Sequence, residues 1–217
     1  MAMNIDLHSH SHGSPDGSLV ATDYKAALAS GLDFIAITDH DSIDAAQKIR
    51  KQLGPKIIIG QEVTTTDGEI IGLFLSKKVE PKLSAKETAV AIKQQGGLVY
   101  IPHPFETVRK GLPKTVLDDI SVLVDIVEVF NGRALFQNKG PQAATWARLH
   151  GKRVAASSDA HGKKGLGSCY TTIAKTPDAK NLVKQLEVGR LVTNRPPFSS
   201  LLYPKLNRLR GKIPRKT

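Results

Sequence analysis

Residues 34–41 read Phe34-Ile35-Ala36-Ile37-Thr38-Asp39-His40-Asp41. Four consecutive apolar residues make a run of strand length with no polar face, the pattern of a strand buried on both sides. The run stops at Thr38-Asp39-His40-Asp41, where carboxylates and an imidazole follow at once. The same grammar recurs along the chain. Met3–Leu7 leads into His8 and His10. Ile57–Ile59 is followed by Glu62, Leu98–Ile101 by Pro102-His103-Pro104, and Arg153–Ser157 by Asp159 and His161. Further strand-like runs are Val124–Phe130, Tyr170–Ala174 and Leu191–Thr193. Helical spacing is found over 21–30, 42–53, 84–95, 116–122, 137–150 and 178–188. Ser84 and Glu87 form a capping-box pair, and Gly31, Gly54, Gly96, Gly151 and Gly189 stand just past helix ends. Asp67-Gly68 marks a turn between Val63–Thr66 and Glu69–Leu75, a hairpin pattern. Strand and helix alternate, which predicts a mostly parallel α/β domain, either a barrel or a doubly wound sheet.

Composition sets the outer bounds. The chain has 217 residues, 40% hydrophobic and 24% charged, the proportions of one ordinary globular domain. No apolar run approaches the ~18 residues of a membrane-spanning helix. Met1–Asp6 has neither a basic stretch nor a long apolar core, and the single cysteine, Cys169, cannot form an internal disulfide. Together these lead us to expect a cytoplasmic protein. Cys169 itself reads as a small buried hydrophobe. The net charge is +11. Six of those charges are Lys205, Arg208, Arg210, Lys212, Arg215 and Lys216, in a stretch with no acidic residue. We therefore expect a folded domain over 1–200 and a basic tail over 201–217. In the tail Leu202, Leu206 and Leu209 alternate with basic residues, the pattern of an amphipathic basic helix running into a disordered end. Such a helix packs its leucine face on the body and leaves its charges in water, or meets an anionic membrane or nucleic acid phosphates.

Five of the seven histidines follow strand runs (His8, His10, His40, His103 and His161), as do Glu62 and Asp159. His12 and His150 lie outside the pattern. Groups carried on the C-terminal ends of barrel strands converge on one face. In an extended segment alternate residues point the same way, so His8 and His10 can aim at one point, as can Asp159 and His161. Imidazole nitrogens mixed with carboxylate oxygens suit zinc, manganese or iron. Any one of these residues could be an ordinary hydrogen-bonded side chain. Seven of them at five strand ends point to a metal cluster.

These motifs (Asp6-Leu-His-Ser-His10, Thr38-Asp-His-Asp41, Gly60-Gln-Glu62, Ile101-Pro-His-Pro104 and Ser157-Ser-Asp-Ala-His161) resemble, in order and over residues 6 to 161, those of the polymerase-and-histidinol-phosphatase (PHP) family. The resemblance implies a distorted seven-stranded β/α barrel, up to three divalent metals and phosphoester hydrolysis. It implies that His8, His10, Glu62 and Asp159 hold one metal, and that Glu62 bridges to a second, also held by His103. A third metal would be held by His40, His161 and Asp16 of Ser14-Pro-Asp-Gly17. Some relatives carry another His after the strand that ends in Val127-Glu128-Val129-Phe130-Asn131-Gly132-Arg133. Glu128 and Asn131 stand here instead, the pattern of small stand-alone phosphoesterases of the family.

The expected reaction is therefore hydrolysis of a nucleotide, an oligonucleotide or a small phosphorylated metabolite. Two or three Zn, Mn or Fe ions would activate water and neutralise charge. Glu62 and Asp159 would be central to catalysis, and Arg133 and Asn131 would meet the substrate, Arg133 through its guanidinium fork. Asp39 would orient a metal-bound imidazole or cap a helix, and Asp41 would cap the helix that starts at Ser42. Two rivals remain at this point. One is an amidohydrolase-type enzyme, which would need a bridging lysine that no motif supplies. The other is a non-catalytic metal-binding or nucleic-acid-associated module served by the basic tail.

Overall fold

The computed structural model describes residues 2–134 and 137–211. Nine strands form one sheet: β1 (Met3–Asp6), β2 (Phe34–Ile37), β3 (Ile57–Thr64), β4 (Glu69–Leu73), β5 (Leu98–Ile101), β6 (Ile126–Asn131), β7 (Arg153–Ser157), β8 (Cys169–Ile173) and β9 (Leu191–Thr193). Their order is β7-β6-β5-β4-β3-β2-β1-β8-β9. Neighbours β1, β2 and β3 run parallel, as do β5, β6 and β7. β4 is antiparallel to both β3 and β5, and this reversed strand is the distortion of the seven-stranded barrel.

Closure is made in two ways. At the C-terminal ends of the strands, the continuation of β1 pairs directly with that of β7: Asp159 N–H donates to His8 O (2.9 Å) and His10 N–H to Ala160 O (2.8 Å). At the opposite end β8 enters beside β1, antiparallel, with Ile5 against Thr171. There the seam with β7 is closed by a side chain. The Thr171 hydroxyl accepts from Ala156 N–H (2.9 Å) and donates to Ala156 O (3.2 Å).

Strand alternation sorts the apolar residues into inner and outer faces. Ile35, Ile37 and Ile57 pack outward with Tyr24 of α1 (Ala21–Ala29) and with Ala46 and Ile49 of α2 (Asp44–Leu53). Val99, Ile101 and Val127 pack outward with Ala89 and Ile92 of α3 (Ala85–Gln94), Leu117 of α4 (Lys114–Asp119) and Trp146 of α5 (Gly140–Leu149). Ile5, Ala36, Ile58, Ile71, Tyr100 and Ile126 form the inner cluster, which also takes Leu182 and Leu186 of the short α6 (Leu182–Gln185) and its C-cap. The helix expected over 178–188 is thus one turn only. Its first part is a turn in which the Asp178 carboxylate accepts from Lys180 N–H and Asn181 N–H, both 2.8 Å.

The Ser84 cap forms as expected. Its hydroxyl accepts from Glu87 N–H (3.2 Å), and Glu87 accepts from Ser84 N–H (2.9 Å). The expected Asp41 cap does not form. Asp41 instead accepts from Thr64 N–H (2.8 Å), which ties the β2 end to β3. β3 is also longer than its apolar run. Its first half pairs with β2 and its second half with β4, so Glu62 lies inside a strand and opposite Ile71.

The last helix, α7 (Tyr203–Gly211), follows a 3-10 turn at Phe198–Leu202. It docks the other way round from the leucine-face expectation. Leu202, Leu206 and Leu209 are exposed, while Asn207 is buried. The reason is polar: Asn207 Nδ2 donates to the main-chain oxygens of Asp16 (2.8 Å) and His161 (3.1 Å). Lys212, Arg215, Lys216 and the disordered end expected there lie outside the described residues.

Candidate metal centre

All five strand ends deliver their polar groups to one mouth of the barrel, and the chain turns sharply to do it. Asp41, His103 and Asp159 have φ of 54°, 31° and 51°, left-handed values uncommon for non-glycine residues and concentrated at functional sites. His8, His10, Asp16, Glu62, His103, Asp159 and His161 are buried, and His40 is half-buried.

Four donor atoms converge first. His8 Nε2 and His10 Nε2 are 3.1 Å apart. Glu62 Oε2 lies 3.5 and 3.2 Å from them, and Asp159 Oδ1 lies 3.6 and 3.5 Å from them. Ligand atoms about 2.1 Å from a tetrahedral cation are about 3.4 Å apart, so the spacing fits one ion. The other Glu62 oxygen, Oε1, is 3.1 Å from His103 Nε2, and Glu69 Oε2 is 3.8 Å from the same nitrogen. A third group gathers at Asp16 Oδ1, 3.8 Å from His40 Nε2 and 3.5 Å from His161 Nε2. Sets of His10, Asp16, His40 and His161, of His8, His10 and Glu62, and of Glu62, Glu69 and His103 each lie close enough to share an ion. Asp16 Oδ1 and His103 Nδ1 are buried with no hydrogen-bond partner among the described residues. A buried acceptor without a donor, such as Asp16 Oδ1, fits cation binding.

A second layer orients these groups. Glu128 Oε1 accepts from His8 Nδ1 (3.1 Å) and from the Tyr100 hydroxyl (2.9 Å), which leaves His8 Nε2 facing the cluster. Glu128 Oε2 accepts from His103 N–H (2.8 Å) and Asn131 Nδ2 (2.8 Å). Asp39 acts through Ser14: it accepts from the Ser14 hydroxyl (3.1 Å), whose oxygen lies 3.1 Å from His10 Nδ1 and accepts from His40 N–H (2.9 Å). Asp6, the first residue of the His8/His10 motif, accepts from Ser158 N–H (3.0 Å) and pins β1 to the end of β7.

Charge inside the cluster is mutually compensated. Burial alone would lower the His10 pKa, but hydrogen bonds to Asp159 and Glu62 raise it to about 9. Burial also opposes charge on Asp159, yet Arg133 and His8 hold its carboxyl well below the usual range. His161, stacked on His10 at 4.1 Å, goes the other way. Burial, with the positive charges of His10 and Arg133, lowers it to about 3. Burial and the neighbouring Glu62 push Glu69 up to about 9. Two carboxylates sharing one space favour a proton or a cation between them.

Above the cluster opens a cavity of about 560 Å³, within the usual size range of small-ligand sites. Four cations line it: Arg109, Lys110, Arg133 and Arg208. Arg133 Nη1 lies 3.3 Å from Asp159 Oδ1, and its buried Nε has no partner among the described residues. Asn131, expected at the substrate, is not among the lining residues. Its amide is spent on Glu128, Asp159 (3.2 Å), Arg109 and Arg133 N–H (2.8 Å).

Glu69, Ser14, Arg109 and Arg208 were not anticipated as site residues. For Glu69 a signal existed. The hairpin register sets Glu69 opposite Thr64, and Thr64 is two residues from Glu62, so all three share a face. Ser14, Arg109 and Arg208 sit on loops or the last helix, where no periodicity points to them. Cys169 is buried and donates to Ser157 O (3.0 Å), outside the cluster.

Comparison with known proteins agrees with this geometry. The PHP domain family matches residues 6–150, and a PHP-associated family matches 140–191. An uncharacterized protein of Methanocaldococcus jannaschii is 38% identical over 143 residues, 59% of this chain and 82% of that one. A second uncharacterized protein of the same organism is 33% identical over 177 residues, 77% of this chain and 69% of that one. Among solved structures, a two-domain protein from Bacteroides vulgatus, containing a predicted PHP-like metal-dependent phosphoesterase, superimposes with a TM-score of 0.73. It does so at 19% identity, over 96% of this chain and 70% of that one. The motif order, the distorted barrel and the match over residues 6–150 agree: this chain belongs to the PHP domain family.

Proposed function

We propose that this chain hydrolyses a phosphoester at a site holding two or three divalent cations, zinc, manganese or iron. The observation that carries the reading is the two-sided Glu62 carboxylate, with Oε2 in the His8/His10 group and Oε1 against His103. In this reading His8, His10, Glu62 and Asp159 hold one ion, Glu62, His103 and Glu69 a second, and Asp16, His40 and His161 a third. Ions held there would supply Lewis acidity, a lowered pKa for bound water and compensation of phosphate charge.

The residues of the chain do the positioning. Glu128 fixes the His8 ring, as carboxylates behind metal-bound imidazoles do. Asn131 belongs to that same layer, joining Glu128 to Asp159. Arg133 lines the cavity beside Asp159 and would bind phosphate oxygens there. Arg109 and Lys110 add positive charge to the wall, which favours an anionic substrate. The cavity volume suits a nucleotide or a small phosphorylated metabolite.

Elemental mass spectrometry would be paired with assays of a chromogenic phosphomonoester and a phosphodiester in Mn²⁺ or Zn²⁺. Two or three ions per chain with turnover is the expected result. Bound ions without turnover on either ester would overturn the hydrolytic reading, and no bound ion after reconstitution would overturn the metal reading.

A further inference from the structure

We propose that the C-terminal helix completes the cation site at Asp16, His40 and His161, with Arg208 as its positioning residue. The inference rests on the metal reading above but not on the reaction. Two observations carry it. The first is how the Asp16 carboxylate is divided. Oδ1 is buried, without a hydrogen-bond partner among the described residues, and faces His40 and His161, while Oδ2 is held by Arg208 Nη2 at 2.6 Å. Asp159 is divided in the same way, with Oδ1 toward His8 and His10 and Oδ2 held by Arg109 Nη1 at 2.9 Å. In both cases a guanidinium takes the outer oxygen and the inner one faces the cluster, at Asp159 with Arg133 Nη1 also 3.3 Å from it.

The second observation is that the helix grips the backbone of two of the three ligands. The buried Asn207 amide donates to Asp16 O and His161 O together. The fit beside His161 is tight, because a Cβ on Gly162 would meet the Tyr203 ring at 2.5 Å. A single exposed ion pair contributes little by itself, and the Arg208 side chain is 63% exposed. Here its partner is a buried carboxylate, and Asn207 anchors the segment that carries it. Groups that orient metal ligands from behind typically govern affinity by ~10–100-fold.

The test is a Mn²⁺ titration of the full chain against a competing chelator, with bound metal counted by elemental mass spectrometry. Arg208→Ala is expected to weaken the last Mn²⁺ by ~10–100-fold and to leave the tighter ions in place. Arg208→Lys restores part of that affinity, since a cation returns without the fork. Gly162→Ala, which displaces Tyr203 but removes no ligand and no guanidinium, is expected to repeat the loss. Helix content by circular dichroism reports that each variant is folded. Unchanged affinity for every Mn²⁺ in Arg208→Ala overturns the proposal while leaving the metal reading intact. Unchanged metal content in Asp16→Ala overturns both, because the third site itself is then misassigned. Absence of phosphoester turnover bears on the reaction alone.

Discussion

At the scale of single residues, the recurring device is a side chain with two faces. Glu62 turns its two oxygens to two different groups of the cluster, while Asp159 and Asp16 turn one oxygen inward and have the other held by an arginine or amide. His8 does the same with its two nitrogens, one on Glu128 and one on the cluster. His10→Ala or Asp159→Ala should therefore lose metal and activity together while the fold survives, measured by metal content and circular dichroism. Full activity in either variant would show the ligand assignment to be wrong. Glu128→Gln should keep the fold and lower metal affinity ~10–100-fold, because the His8 ring loses a charged orienting partner. The His10 ring holds its proton up to about pH 9, against 6.5 in the unfolded chain. A raised pKa means that this proton stabilises the metal-free fold below 6.5 and is lost as pH rises through about 9. Since the metal must displace it, Mn²⁺ affinity should climb over the same window and release protons. A flat affinity profile, measured by calorimetry in buffers of different ionisation enthalpy, would contradict this.

At the scale of elements, irregularities do the aiming. β6 shifts register between Glu128 and Phe130, a bulge against β7. Regular alternation would send Glu128 and Asn131 to opposite faces. The extra residue brings both inward, so that they bond each other. The β3–β4 hairpin likewise extends past the barrel wall to carry Glu62 and Glu69 together. The β7–β8 seam is bridged by side chains, the Thr171 hydroxyl on Ala156 and the Cys169 thiol on Ser157 O. Thr171→Val would leave Ala156 N–H and C=O unsatisfied in a buried place, and should destabilise the chain by about 1–3 kcal/mol in urea titrations. Metal content should stay unchanged. Ser84→Ala removes a cap far from the site and should lower stability by about 1 kcal/mol without altering turnover.

At the scale of the whole molecule, the barrel gathers at one mouth residues separated by up to 153 positions, from His8 to His161. Folding buries their charges at a penalty that only opposite charges, hydrogen bonds or bound cations offset. A divalent ion that binds the folded chain and not the unfolded one adds about 2.7 kcal/mol at 100 times its Kd. Unfolding midpoints in excess Mn²⁺ should accordingly exceed those in a chelator, and coincident curves would argue against tight binding in the native state.

The sequence by itself determined the alternation of buried strands and helices and the placing of His, Asp and Glu at strand ends. It also determined the cap at Ser84 and the turn at Asp67-Gly68. These are local matters, decided by hydrophobic period and turn chemistry within a few residues. The tertiary structure decided what depends on long-range register and docking. The antiparallel insertion of β4 brought Glu69 beside Glu62 and His103, and the β6 bulge set the Asn131 amide between Glu128 and Asp159. The amphipathic pattern of the tail predicted its helix correctly but not its buried face. The Asn207 amide reaches the main-chain oxygens of Asp16 and His161 together, which turns Asn207 inward and leaves the leucines facing water. Hydrophobic patterning describes what a segment prefers alone, whereas a buried polar group without a partner is paid for by the whole fold.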